Sequence, residues 1–122
     1  MNRRIVITGL GAVTPVGKSV PDMWNSIREG KCGIGPITLF DASNCPVKIA
    51  AEIKDFKPEE HGIDPKEARR MARFTQFLMG AANEAVQDAG LTREELAADT
   101  TGIVAGNGLS GMDVLDETYN KY

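Results

Sequence analysis

The residues best suited to binding chemistry are four cations within one short segment. They are Lys66, Arg69, Arg70 and Arg73, at relative positions i, i+3, i+4 and i+7. Helical residues three or four apart lie on one face, so the spacing predicts a positively charged helical face with only Glu67 close by in sequence. Such a face is either simply solvated or attracts a negatively charged partner, for which phosphate or nucleic acid is the weaker choice.

The overall charge of the chain restricts those choices. Over 122 residues, 14 Lys and Arg oppose 17 Asp and Glu, which gives a formal net charge of −3. Nucleic-acid binding draws on a broadly basic surface, and this composition does not supply one. We therefore expect no nucleic-acid partner, and any basic patch must be local.

A second candidate site is the glycine-rich segment 106–111, with the sequence GNGLSG. The pattern G-x-G-x-x-G after a predicted strand is found in dinucleotide-binding turns, where glycines let the backbone approach a pyrophosphate. A dinucleotide site also needs an acidic residue about 20 positions further on, and here that position falls beyond residue 122. The alternative is a tight turn in which Leu109 is a core anchor.

The remaining reactive side chains predict no catalytic or metal site. Cys32 and Cys45 have no Cys-x-x-Cys spacing, and His61 is the only histidine. We expect two reduced thiols with packing or surface roles and a solvated loop histidine. No apolar run reaches the roughly 20 residues that span a bilayer, and no signal peptide is evident, so the cytoplasm is the expected compartment.

The elements that would position these residues predict an α/β domain. Residues 4–8, 47–53 and 101–105 have strand patterns. Helices are predicted after Ser19 up to Gly30, from Asp64 to Gly90 with one break allowed, and after the capping-box residue Thr92. This order predicts a mixed sheet flanked by helices.

The long predicted helix carries an unusual stripe of small residues. They are Gly80, Ala81, Ala82 and Ala85. Because they lack bulk, the helix is predicted to approach a neighbouring segment closely.

The first strand and its turn, RRIVITGLGAVTPVG at residues 3–17, resemble the opening of the β-ketoacyl-acyl carrier protein synthases. The resemblance is collinear up to about residue 115 and includes the basic helix, the Asp88-Ala89-Gly90 helix end and the glycine loop. It implies a thiolase-like α/β fold, with residues 1–122 as the N-terminal part of a ketosynthase domain of the second type.

For the activity, the resemblance implies decarboxylative condensation of acyl and malonyl thioesters carried by acyl carrier protein. The family's nucleophilic cysteine and two histidines lie beyond residue 122, so we expect a domain truncated before the catalytic cysteine and inactive alone. The intact protein would be a homodimer without a metal or redox cofactor. Polyketide ketosynthases and chain-length factors share this architecture, and a stand-alone module binding carrier protein or a nucleotide is a further alternative.

The resemblance also assigns roles to single residues. Lys66, Arg69 and Arg70 fall where the family contacts the acidic helix of acyl carrier protein, and Arg73 extends that set by helical geometry. The predicted acyl-cavity residues are Gly106, Gly108, Leu109, Ser110 and Gly111. Leu109 falls at an aliphatic gate, which favours longer acyl chains.

Overall fold

The computed structural model of the protein describes residues 3–108 and 111–121. The helices in this part of the chain are α1 (Val20–Arg28), α2 (Pro65–Ala68), α3 (Arg73–Ala89), α4 (Arg93–Leu96) and α5 (Met112–Tyr119). A single 3-10 turn spans Pro58–His61, and two short strands are β1 (Gly35–Pro36) and β2 (Ile49–Ala50).

The predicted helix boundaries are confirmed where a local cap defines them. The Ser19 side chain accepts a hydrogen bond from the Asp22 amide at 3.2 Å and begins α1. Thr92 and Glu95 form the reciprocal capping box of α4. Gly90 ends α3 in the left-handed conformation, with φ of 66°, which glycine adopts without a Cβ clash.

The close approach predicted for the small-residue stripe is made by the glycine segment near the N-terminus. Gly11 lies directly on α3, where an added Cβ would overlap the carbonyl oxygen of Ala81. One turn along, a Cβ on Gly9 would overlap the carbonyl oxygen of Ala85. Backbone therefore packs on backbone along this side of α3, with no space for a side chain between them.

Two carboxylates of α3 fix that segment along the helix. Asp88 accepts a hydrogen bond from the Leu10 amide at 2.9 Å, and Glu84 accepts one from the Ala12 amide at 2.8 Å. The second oxygen of Glu84 accepts from the amide of Val20, at the start of α1, at 2.8 Å. Glu84 thus joins the glycine segment, α1 and α3.

The predicted mixed sheet is not present in the described residues, which contain one two-stranded antiparallel sheet. Gly35 pairs with Ala50 in it, so of the predicted strand 47–53 only Ile49–Ala50 forms. The strands predicted at 4–8 and 101–105 are wrong for this structure: neither segment has strand structure. A strand is stabilised by hydrogen bonds to a neighbour, and Ile5 and Val104 are instead 94% and 101% exposed.

The packed centre of the structure lies between α3, α2 and the 3-10 turn. Ile63 and Ala68 are its buried apolar residues. A compact monomer of 13.1 kDa exposes about 6,400 Å², whereas this structure exposes 10205 Å². The chain therefore leaves much apolar surface uncovered. None of the described helices is long and apolar enough to cross a membrane.

Candidate functional site

The four predicted cations do not share one helix. Lys66 is in α2 and Arg73 begins α3, whereas Arg69 and Arg70 occupy the bend between the two helices. The prediction of one continuous helical face is therefore wrong. The helical hydrogen bonds of α2 end with the Arg69 amide, and Ala72, just before α3, has a non-helical ψ of 150°.

The bend nevertheless brings the three arginines to one place. An open pocket of about 370 Å³ lies at the bend. Its lining residues are Arg69, Arg70, Met71, Ala72, Arg73, Gln76 and Val114. Lys66 does not line it. The pocket joins the bend to α5, and it concentrates positive charge on a chain that is acidic overall.

Arg73 differs from the other cations because the protein itself engages it. Its guanidinium donates a hydrogen bond to the Ile53 carbonyl and lies 5.3 Å from the centre of the Phe77 ring. A guanidinium over an aromatic face is attracted by the ring quadrupole. The geometric extension of the docking set to Arg73 therefore has a competing structural explanation.

The other three cations are available to a partner. Lys66, Arg69 and Arg70 are exposed, and no carboxylate of a described side chain lies within ion-pair distance of them. Exposed charges of this kind act mainly by attracting an oppositely charged surface.

Gln76 supports the bend, and the sequence analysis did not identify it. Its side-chain amide donates to the carbonyl oxygens of Ala68 at 2.9 Å and Met71 at 3.1 Å. The available signal was a polar residue between Phe74 and Phe77 in the first turn of an apolar helix.

The glycine segment is only partly within the described residues. Gly106 and Gly108 are exposed, with open space where a Cβ would stand, and Leu109 and Ser110 lie outside the described residues. Gly111 has φ of 79° and precedes α5, and its Cβ position is 3.3 Å from the Phe74 ring. Because residues 101–105 form no strand, the strand context that favoured a dinucleotide turn is missing. The acyl-cavity role stays a prediction.

His61 has a packing role, so its prediction as a solvated loop residue is wrong. Its ring stacks on Phe56 with centroids 4.5 Å apart, and both rings lie over Gly80. Its carbonyl accepts a hydrogen bond from the Asn83 side chain at 2.8 Å. Gly80 has no side chain and so leaves room for the two stacked rings. The sequence pattern did not indicate this stacking.

A separate cavity of about 580 Å³ lies between the turn at residues 14–18 and strand β1. Cys32 and Glu52 are among its lining residues. Both cysteines are free. Within residues 3–108 and 111–121, no group of three or more His, Cys, Asp or Glu side chains could hold a metal ion. Nothing in the geometry of this cavity indicates a nucleophile.

Glu52 is a structural anchor at the edge of that cavity. Its carboxylate accepts hydrogen bonds from the Thr38 hydroxyl at 2.6 Å, the Thr38 amide at 2.8 Å and the Leu39 amide at 3.1 Å. The Thr38 hydroxyl first, then the Thr38 amide, and more weakly Leu39 and the Lys54 ammonium, lower the pKa of Glu52 to about 2. The carboxylate therefore stays ionised and holds the segment after β1.

Comparison with known proteins places the chain in a family. Residues 2–122 match the family described as "Beta-ketoacyl synthase, N-terminal domain". A protein of Synechocystis sp. named 3-oxoacyl-[acyl-carrier-protein] synthase 2 is 45% identical over 115 residues. That alignment covers 94% of this chain and 27% of the relative.

Two further comparisons agree. The protein of the same name from Staphylococcus aureus strain COL is 46% identical over 98% of this chain and 29% of its own length. A solved structure titled "The ishigamide ketosynthase/chain length factor" matches with a TM-score of 0.66 and 35% identity, over 78% of this chain and 23% of that one.

These matches cover nearly all of this chain but under a third of the length of its relatives. The structural match shows that the described residues adopt part of a ketosynthase fold. On the family match over residues 2–122, the chain belongs to the β-ketoacyl synthase family and corresponds to its N-terminal domain.

Proposed function

We propose that the intact protein is a 3-oxoacyl-[acyl-carrier-protein] synthase, to which residues 1–122 contribute the carrier-docking surface and part of the acyl pocket. The observation that carries this proposal is the 45–46% identity to synthases of that name over 94–98% of the chain. The exposed cations at the α2–α3 bend support it, because they offer positive charge to an acidic carrier protein.

The reaction joins two thioesters. The acyl group moves from its carrier to a cysteine of the intact enzyme and releases the carrier thiol. Malonyl-carrier protein then loses carbon dioxide, and its C2 carbanion attacks the enzyme-bound acyl carbonyl, which releases the cysteine thiolate and leaves a 3-oxoacyl-carrier protein. We assign residues 1–122 no catalytic group in these steps, and their proposed contribution is to bind and orient.

The proposed binding roles divide between two segments. Lys66, Arg69 and Arg70 contact the carrier, and the loop formed by residues 106–111 lines the acyl chain, with Leu109 as an aliphatic gate. The segments at 4–8 and 101–105 become strands of a mixed thiolase-like sheet in the intact protein, which works as a homodimer in the cytoplasm. Their exposed β-branched side chains support this proposal.

The docking surface is tested by charge reversal in the intact protein. We expect Arg69→Glu with Arg70→Glu to raise KM for acyl-carrier thioesters at least about tenfold, since like negative charges then face each other across the interface. The rate with the matching acyl-pantetheine thioester, which lacks the carrier, should not change. Arg93→Glu, an exposed arginine on α4, is the matched control.

Two outcomes would contradict these assignments separately. An intact protein that forms no 3-oxoacyl product from malonyl-carrier protein would exclude the condensing activity. A reversal that slows carrier and pantetheine substrates equally would show that these arginines support the fold and do not dock the carrier.

A polyketide ketosynthase is the second candidate, favoured by the likeness to the ishigamide ketosynthase/chain length factor. The two candidates differ in subunit requirement. Activity of the intact protein purified alone, as a homodimer, would support the 3-oxoacyl-[acyl-carrier-protein] synthase of fatty-acid synthesis. Activity that appears only with a second, different ketosynthase-like chain would support the polyketide alternative.

A further inference from the structure

We propose that Gln76 is a positioning residue for carrier docking, acting through the bend that carries Arg69 and Arg70. The inference rests on the proposed function, because it assigns a support to that docking surface. The two carbonyls that Gln76 holds, those of Ala68 and Met71, lie on either side of the two arginines along the chain. One side chain thus fixes both ends of the segment that presents them.

The bend needs such a support because α2 is too short to stabilise itself. It has four residues, and the last carbonyls of a helix have no partner within the helix. The Gln76 amide donates to the carbonyl of Ala68, a residue that is 5% exposed. Both of its partners are carbonyl oxygens, so only the NH₂ end of the amide can face them.

Backbone hydrogen bonds also hold the bend. The amide of Arg70 donates to the Glu67 carbonyl at 2.9 Å, and the amide of Met71 donates to the Ala68 carbonyl at 3.1 Å. Removing the side-chain donor takes one of two hydrogen bonds from the Ala68 carbonyl and the side-chain hydrogen bond from the Met71 carbonyl, which favours opening of the bend.

Gln76 is neutral, and this separates its role from that of the docking cations. Charges at an interface raise the association rate and make it sensitive to salt. A support without charge cannot steer a partner. It can only keep the arginines ordered before binding and so reduce the ordering cost of the complex, which appears in the dissociation rate.

The test measures binding of purified acyl carrier protein to the intact protein at several salt concentrations. Gln76→Met keeps the length of the side chain but removes both donors, and we expect koff to rise several-fold, up to about tenfold, with kon and its salt dependence unchanged. Arg69→Gln should instead lower kon and weaken its salt dependence. Gln87→Met, on the exposed side of the same helix, should match the wild type.

Hydrogen exchange in the absence of carrier gives an independent readout. The amides of Arg70 and Met71 should exchange faster in Gln76→Met and at the wild-type rate in Gln87→Met. If Gln76→Met does not fold, Gln76→Asn, which shortens the side chain by one methylene, takes its place with the same expectations.

Two results would overturn the positioning role. One is faster exchange at the bend with an unchanged koff, which would make Gln76 merely structural. The other is unchanged exchange and unchanged koff. Failure of the docking proposal looks different, because Arg69→Gln and Arg70→Gln would then leave kon for the carrier unaltered.

Discussion

At the scale of single residues, acidic side chains hold this structure together by accepting backbone hydrogen bonds. Glu52 does so for the segment after β1, and Glu84 and Asp88 do so for the glycine segment on α3. Each carboxyl group accepts hydrogen bonds from backbone amides of a segment distant in sequence.

Glu52 predicts an acid-dependent loss of stability. Its pKa falls from 4.5 to about 2 on folding, so the folded state binds the proton less tightly than the unfolded state. The stabilisation is therefore complete above about pH 4.5 and is lost as the pH falls towards 2. In the intact protein, Glu52→Gln should lower the melting temperature at pH 7 and differ less from the wild type as the pH falls through that window.

The matched control for that experiment is Glu59→Gln, since Glu59 is exposed and its side chain makes no hydrogen bond to a described residue. A Glu52→Gln difference that stays constant from pH 7 to the acid limit of folding would contradict the anchoring role.

At the scale of elements, the starts of helices could be predicted from local sequence signals, but the pairing of strands could not. Ser19 and Thr92 cap helices through atoms three residues away, so their patterns alone define the starts of α1 and α4. Residues 101–105 have equally clear β-branched patterning, but a strand also needs a neighbour that no local pattern specifies. The Gln76 contact was missed for the same reason, since its partners lie across a bend.

The packing of the glycine segment on α3 predicts a strong effect of one methyl group. Gly11→Ala would place a Cβ against the Ala81 carbonyl, and overpacking of this kind costs about 1–3 kcal/mol. We expect a lower melting temperature for the intact variant. Gly35→Ala in β1, where a Cβ would meet no atom within 4 Å, is the control and should change little. Equal melting temperatures for the two variants would show that the segment does not pack as described.

At the scale of the whole molecule, the described residues leave several apolar segments uncovered. Ile5, Ile7, Ile103 and Val104 are each more than four-fifths exposed. Contiguous apolar surface is rare on monomeric proteins and marks places that another polypeptide covers. The matched region accounts for 27–29% of the length of the relatives.

The exposed apolar segments should determine how residues 1–122 behave when they are produced alone. With its apolar segments exposed, this polypeptide should bind an environment-sensitive hydrophobic dye strongly and unfold without a sharp thermal transition, because few contacts make its unfolding cooperative. The intact protein should bind little dye and unfold sharply. If residues 1–122 were monodisperse, dye-silent and two-state, segments 4–8 and 101–105 would have to be covered within the chain itself. The alternative of a stand-alone binding module would then gain support over an N-terminal portion of a larger condensing enzyme.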